Sequence, residues 1–178
     1  MKKKSRIKAY IAIDPGKQGG IACFFPRRKK EPLKVFRCPK TVEEMCAVVD
    51  CMVADAKCAS DKIYLLIEHV HAFPSDGRSS VFTFGRNLGH WEGIISRHEI
   101  EVNTIAPRSW QSFYEVPKIP DKYDRKKWLK YKAIELFPEQ KVTFAVCDAL
   151  LLLHYAKENI KWVCLLYTSP SPRDRQKS

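Results

Sequence analysis

The sequence predicts an α/β fold in which helices flank a mixed five-stranded sheet with three antiparallel and two parallel strands. Three observations support this prediction. Three short apolar runs separated by turn residues open the chain and indicate an antiparallel meander. A helix start and a fourth apolar run follow, and this strand-helix-strand order indicates a parallel strand in the same sheet. In the rest of the chain, segments with helical apolar spacing precede and follow one more short strand.

The predicted elements have clear start signals. Apolar runs bounded by turn formers predict strands at residues 8–14, 20–25 and 33–37. Thr41 followed by Glu44 is a capping-box pattern, which opens a helix that continues to about residue 57. The later elements are predicted, in order, as a strand at residues 63–68, a glycine-containing helix around residues 84–95, a strand at residues 101–105, a brief helix from Pro107, a loop at residues 115–124, a basic helix at residues 125–137 and an apolar helix at residues 145–158.

Three acidic residues stand where apolar segments end or are interrupted. Asp14 closes the first strand, Glu68 closes the fourth strand, and Asp148 lies in the first turn of the last helix. Buried carboxylates are costly unless a cation, a hydrogen-bond donor or a metal offsets the lost hydration. Parallel pairing brings Asp14 and Glu68 to one edge of the sheet, and a helix N-terminus favours the charge of Asp148. Oxygen ligands on three buried elements indicate a site for a hard cation, Mg²⁺ or Mn²⁺.

The chain is strongly basic. Its 178 residues have the length of one domain, and they carry a formal net charge of +12 with Lys and Arg spread along the sequence. This balance favours a nucleic acid as the partner over an anionic membrane surface. No apolar run is long enough to span a bilayer, and the chain leads into a strand rather than a signal peptide, so we expect a soluble protein without membrane contact.

Cysteine and histidine residues give weaker signals. The seven cysteines are an odd number without the close paired spacing of zinc sites, so we expect reduced core residues. His69 and His71 follow Glu68 in a polar loop, as metal ligands or proton carriers or as ordinary histidines at the solvent edge. His154 is placed well away from Asp148 around the last helix and is not expected to be a ligand.

Glycines recur every fourth residue in the helix around residues 84–95, at Gly85, Gly89 and Gly93, beside Trp91. Because glycine lowers helix stability, such a row indicates the close approach of a neighbour. The sheet, a second helix and a partner subunit all remain candidates for that neighbour.

Short motifs occur in a fixed order across roughly residues 7–158. They are Ile11-Ala12-Ile13-Asp14-Pro15-Gly16, Ile67-Glu68 with Val70-His71-Ala72-Phe73-Pro74, Gly77, Ser79-Ser80, Phe84-Gly85-Arg86, Pro107 with Trp110-Gln111, Leu136-Phe137-Pro138 and Asp148-Ala149-Leu150-Leu151. Together these motifs resemble those of the RuvC-like Holliday-junction resolvases, the phage and chloroplast-resolvase branch of the ribonuclease H-like superfamily.

The resemblance implies a ribonuclease H-like fold and a metal-dependent endonuclease that makes paired nicks in a four-way DNA junction. Asp14, Glu68 and Asp148 carry over as catalytic residues and ligands of two Mg²⁺ ions, with Mn²⁺ as a substitute. It also implies a homodimer, with the glycine row and Trp91 as the candidate contact, in the cytoplasm of a bacterial or phage-infected cell rather than a plastid. The residues expected to bind DNA phosphates are Lys17, Arg78, Ser79, Ser80, Arg86, Arg108, Lys126, Lys127 and Lys130.

One departure from the family pattern lies just before the last acid. Family members usually carry a fourth acid or a His three or four residues before that Asp, where this chain has Ala145 and Phe144. Three ligands suffice, or a residue such as His71 or Glu92 contributes, or activity is impaired.

A second departure lies at the end of the chain. The run from Cys164 to Asp174 has no apolar periodicity and resembles the translation of a sequencing adapter. We therefore expect a nuclease domain at residues 1–163 and a non-native tail at residues 164–178. Arg173, Arg175 and Lys177 against Asp174 give this tail a charge of only +2, so the basic character does not depend on it.

Two further functions fit parts of the pattern. A sugar-kinase or actin-like ATPase also has an acid and glycines in a phosphate-binding hairpin, but it needs a second similar domain and more glycine-rich loops than seven glycines provide. A non-catalytic junction-binding protein would keep the fold without the full set of ligands.

Overall fold

The structure is a computed structural model that describes residues 8–16, 18–60, 62–69 and 77–166, the side chains of residues 160–166 excepted. Five strands form one sheet in the order β3-β2-β1-β4-β5. They are β1 (Lys8–Ile13), β2 (Gly20–Phe24), β3 (Leu33–Arg37), β4 (Lys62–Glu68) and β5 (Val102–Ile105). The first three pair antiparallel, whereas β4 runs parallel to β1 and β5 parallel to β4. The predicted mixed five-stranded sheet is confirmed.

Five helices flank the sheet. They are α1 (Val42–Ala59), α2 (Arg78–Ser96), α3 (Pro107–Phe113), α4 (Lys122–Leu136) and α5 (Cys147–Leu166). The capping box at the start of α1 is confirmed, because Thr41 Oγ1 accepts from the Glu44 N–H at 3.2 Å and Glu44 accepts from the Thr41 N–H in return. Within the described part of the chain, no helix combines the length and the apolarity that crossing a bilayer would require.

The boundaries of three helices differ from the prediction. α2 begins at Arg78 rather than around residue 84. α4 begins at Lys122 rather than at residue 125, since the Asp121 carboxylate caps it by accepting from the Asp124 N–H at 2.8 Å. α5 begins at Cys147 rather than at residue 145, because the three residues before it form a turn. It ends at Leu166 rather than at residue 158, because no Gly or Pro stops it earlier. The adapter-like tail beyond Leu166 lies outside the described residues, so the domain boundary stays a prediction.

The sheet separates two hydrophobic layers. Ile11, Ile13 and Ile67 point into the layer covered by α1 and α2, whereas Ala12 and Leu66 point into the layer covered by α3, α4 and α5. Successive side chains of a strand alternate between the two faces of a sheet. The next residue along each of β1 and β4 therefore faces the second layer, in which the start of α5 lies.

The glycine row and Trp91 lie on different sides of α2. Among the atoms that the structure describes, none lies within 4 Å of a Cβ added at Gly85, Gly89 or Gly93, so the row lines an open face of the helix. Trp91, in contrast, has no exposed surface and belongs to the layer between α2 and the sheet. The inclusion of Trp91 in a dimer contact is therefore wrong, because the helix turns its large ring into the core.

The six cysteines whose side chains the structure describes are free thiols, but not all of them are core residues. Cys23, Cys38 and Cys147 are buried and Cys46 is half-buried, as predicted. Cys51 and Cys58 are exposed on α1, so the prediction of a core position is wrong for these two. They lie on the outer side of the helix, which turns Met45, Val49 and Met52 to the sheet.

Candidate active site

The register of the two central strands brings Asp14 and Glu68 together. Ile13 of β1 is paired with Ile67 of β4, and each strand continues directly into its acid. The two carboxylates therefore leave neighbouring parallel strands at the same level and toward the same face.

Asp148 reaches this edge because two backbones approach each other closely. The turn before α5 lies on Gly20 of β2, where an added Cβ would stand 2.7 Å from the Ala145 carbonyl oxygen and 2.9 Å from the Val146 Cα. Glycine is required there, because real Cβ atoms do not come so close to backbone. Asp148 follows in the first turn of α5. The Asp14 end of the site is fixed in a similar way, since the Asp14 N–H donates to the Gly20 carbonyl at 2.9 Å.

The three acids line one open cavity of about 890 Å³, within the usual size of ligand clefts. Its walls come from the loop after β1, from α2, α3 and α4, and from the turn that precedes α5. The other lining residues are Gly16, Gln18, Gly19, Ser79, Ser80, Thr83, Phe84, Pro107, Gln111, Lys122, Tyr123, Arg125, Lys126 and Phe144.

Burial and mutual repulsion disturb the acids of this cavity. Burial, and then the charge of Asp148, raise the pKa of Asp14 to about 6, although Lys126 and the Gly16 N–H oppose the change. Burial, and then the charge of Asp14, raise the pKa of Glu68 to about 8. Raised pKa values of this kind, caused by burial and by neighbouring acids, are concentrated at functional sites.

Two side chains hold the acids in place. Trp110, fully buried on α3, donates its indole N–H to Glu68 Oε1 at 2.7 Å. Lys126, on α4, donates to Asp148 Oδ2 at 2.5 Å. Burial lowers the pKa of Lys126, but Asp148 and the other neighbouring negative groups outweigh it and the pKa is raised. Lys126 is thus a protonated cation within the acidic cavity.

The donor set suits a hard cation, although the side chains are not arranged as a closed coordination shell. Among the residues that the structure describes, no group of three His, Cys, Asp or Glu side chains is placed so that it could hold a metal ion as it stands. The three carboxylates nevertheless line one cavity and repel one another. Carboxylate oxygens are the ligands that Mg²⁺ and Mn²⁺ prefer. Lys126 engages only Oδ2 of Asp148, so an ion coordinated by all three acids would share this carboxylate with Lys126 or replace it.

The residues predicted to bind DNA are divided between the cavity and the outer surface. Ser79, Ser80 and Lys126 line the cavity, and Arg108 lines an adjacent groove of about 830 Å³. Lys130 lies beside the cavity wall, with its ammonium 4.7 Å from the centre of the Phe144 ring. Arg78, Arg86 and Lys127 are exposed on α2 and α4, and Lys17 lies outside the described residues.

The histidines and the other candidate acid do not complete the site. His71 lies outside the described residues, and Glu92 is exposed on α2. His69 continues the sheet, since its N–H donates to the Ile105 carbonyl at 2.8 Å. His154 lies against Tyr114, whose hydroxyl is 3.0 Å from His154 Nδ1, and it does not line the cavity.

Sequence reasoning missed several residues of the cavity. It did not predict that Trp110 contacts Glu68 or that Gln111, Tyr123, Arg125 and Phe144 line the walls. The only available signal was the position of Trp110 next to Gln111 in a recognised motif. The other contacts join segments that are distant in the sequence, so spacing carries no information about them.

The sheet order and the flanking helices match a ribonuclease H-like fold, the fold of RuvC. No family model and no curated protein sequence matches the chain. Among solved structures, RuvC of Thermus thermophilus superposes with a TM-score of 0.52 and 12% sequence identity over 86% of this chain and 95% of that one. T. thermophilus RuvC in complex with a Holliday junction substrate gives the same TM-score and coverage at 10% identity.

Proposed function

We propose that this protein is a metal-dependent endonuclease that resolves four-way DNA junctions by paired phosphodiester hydrolysis. One observation carries the proposal: Asp14, Glu68 and Asp148, from three distant segments, line a single cavity in a fold shared with RuvC, a protein solved with a Holliday junction. The kinase-like alternative needs a second similar domain, whereas the described residues form one sheet.

The acids would hold two Mg²⁺ ions, with Mn²⁺ as a substitute. When bound, such ions activate a water molecule and stabilise the leaving oxygen during in-line displacement at phosphorus. Trp110 keeps Glu68 oriented through the indole hydrogen bond. Lys126 pairs with Asp148 Oδ2 in the same cavity, so its ammonium would be available to a phosphate if a metal ion took its place at Asp148.

The walls of the cavity supply contacts for DNA phosphates. Ser79 and Ser80 start α2 on one side, and Lys122 and Arg125 start α4 on the other. The adjacent groove shares Arg125 with the cavity and adds Arg108 and Lys118. These side chains can donate hydrogen bonds to DNA phosphates whatever the base sequence. Binding should therefore follow the shape of the DNA and weaken with salt.

A homodimer completes the proposal. A four-way junction has near two-fold symmetry, and a two-fold dimer would present one active site to each of two opposed strands. The open face of α2 that carries Gly85, Gly89 and Gly93 is the proposed contact, because its backbone is accessible to a partner.

The test is cleavage of a synthetic four-way junction and of a linear duplex of the same sequence, with Mg²⁺ or Mn²⁺. We expect the junction to be cut far faster, at symmetric positions on opposed strands. Asp14→Asn should lower the rate at least about 100-fold and preserve junction binding, because it removes a ligand and no phosphate contact. Asp124→Asn, an exposed acid on α4 outside the cavity wall, is the matched control. Undiminished cleavage by Asp14→Asn would remove that residue from the mechanism.

A non-catalytic junction-binding protein is the second candidate. Two observations favour it. Ala145 is a buried apolar residue at a position where the resolvase family usually has a further ligand. In addition, Lys126 already forms an ion pair with Asp148. This candidate predicts a gel shift with the junction and no cleavage with any divalent metal.

A further inference from the structure

Two aromatic rings stand in the wall of the acidic cavity with much of their surface exposed to solvent. Tyr123, in the first turn of α4, is 64% exposed, and Phe144, in the turn before α5, is 37% exposed. Their ring centres are 5.8 Å apart and their planes are inclined by 41°. A single exposed aromatic residue is common, but two adjacent exposed rings beside buried carboxylates indicate a binding surface.

Cations surround this pair of rings. The Lys130 ammonium lies 4.7 Å from the centre of the Phe144 ring, close enough for a cation–π interaction. Lys122 and Arg125, the neighbours of Tyr123 on α4, also line the cavity. Proteins that bind unpaired nucleotides combine these two features, since the ring stacks on a base and the cation binds the backbone.

We propose that Tyr123 and Phe144, with Lys130, form a stacking platform for a nucleobase that is unstacked at the crossover of the junction. This proposal deepens the proposed function and rests on it. The Tyr123 ring is the more exposed of the two and would stack on the base. The Phe144 ring packs against Tyr123 and holds the Lys130 ammonium over its own face. Because the platform and the carboxylates belong to one cavity, a base held on the rings places the adjoining phosphates at the acids.

This platform gives a physical reason for a preference for junctions. In an intact duplex every base is stacked between neighbours, so the rings have no base face to bind. At a crossover a base can leave the stack at little cost, and stacking on an aromatic ring compensates for the loss. Phosphate contacts are available on both DNAs, so the shape of the backbone alone gives a weaker preference than a base bound on the rings.

The first experiment compares affinities for an uncut four-way junction and a linear duplex in EDTA. Tyr123→Leu should weaken junction binding about tenfold and duplex binding less than about twofold. Tyr123→Phe, which keeps the ring, should retain the wild-type junction affinity. Tyr131→Leu is the control, because Tyr131 is 60% exposed on the same helix but does not line the cavity.

A second measurement reports on the base itself. With 2-aminopurine at each crossover position in turn, we expect wild-type protein to change the fluorescence at one position. Phe144→Leu or Tyr123→Leu should remove at least half of that change, and Tyr131→Leu should leave it intact. Thermal unfolding of each variant shows that a loss of signal is not a loss of fold.

The outcomes separate the platform from the proposed function. If the wild-type protein prefers the junction but Tyr123→Leu and Phe144→Leu bind and report as the wild type does, the platform is refuted and junction binding stands. If the wild-type protein shows no preference for the junction, the proposed function fails first. Equal weakening on junction and duplex would also overturn the platform, because it would indicate a general DNA contact.

Discussion

At the scale of single residues, Glu68 is a carboxylate whose negative charge is unfavourable in its surroundings. Its side chain is buried, accepts one hydrogen bond from Trp110 and faces the negative charge of Asp14 and Asp148. Such an arrangement destabilises the metal-free protein and favours any cation that enters. The charge of Glu68 therefore destabilises the folded protein and, at the same time, favours the binding of a cation.

This cost has a measurable pH dependence. Burial and neighbouring charge raise the pKa of Glu68 from 4.5 to about 8 in the folded protein. As the pH rises through this window, the unfolded chain releases the proton first, so the free energy of unfolding falls. In EDTA, Glu68→Gln should be more stable than the wild type by roughly 2–4 kcal/mol at pH 8.5, and nearly equal to it at pH 5.

Urea denaturation at the two pH values measures this difference. Glutamine keeps the acceptor for the Trp110 N–H, so the variant isolates the charge. A stability difference that is the same at pH 5 and pH 8.5 would contradict the raised pKa of Glu68.

At the scale of elements, the site depends on where α5 meets β2. Asp148 is positioned by a backbone contact at Gly20, whereas a Cβ at any glycine of α2 would have no neighbour within 4 Å in the described part of the chain. Glycine thus has two different roles in this chain. At Gly20 it permits contact, and on α2 it leaves the surface open.

A matched pair of substitutions distinguishes the two roles. Gly20→Ala should lower the free energy of unfolding by about 1–3 kcal/mol or more and reduce cleavage, because the new Cβ would displace the turn that carries Asp148. Gly85→Ala, introduced into the monomeric Gly89→Leu variant so that no partner covers this face, should raise it by about 0.5–1 kcal/mol, since alanine favours a helix and no described atom lies within 4 Å of its Cβ. Both changes are read from urea denaturation. A neutral Gly20→Ala would mean that α5 does not rest on β2.

The elements that sequence predicts well are those with local signals. The meander follows from apolar runs and turns, and α1 follows from Thr41 and Glu44, whose capping contacts span three residues. The start of α5 could not be predicted, because a contact between Gly20 and Ala145 sets it across the chain. For the same reason the spacing of charges on α4 could not show that Lys126 turns inward to Asp148.

At the scale of the whole molecule, the open face of α2 and the two-fold symmetry of a junction lead to one expectation. The protein should have twice the mass of the 20.6 kDa chain in solution at micromolar concentration. Gly89→Leu should convert it to a monomer and abolish paired cutting, because the face no longer permits close approach. Ala54→Leu, a comparable enlargement on the exposed side of α1, is the control. Light scattering after gel filtration measures both, and a monomeric wild type would refute the dimer.

The matched pairing of Ile13 with Ile67 limits which changes in chain length this architecture tolerates. One residue inserted within β4 ahead of Glu68 would rotate its carboxylate to the opposite side of the pleat, among the aliphatic side chains under α1 and α2. Two inserted residues would restore the side but carry the group past Asp14. Insertions and deletions should therefore be tolerated only in the connections between elements. An engineer who lengthens this scaffold should leave β1 and β4 unchanged.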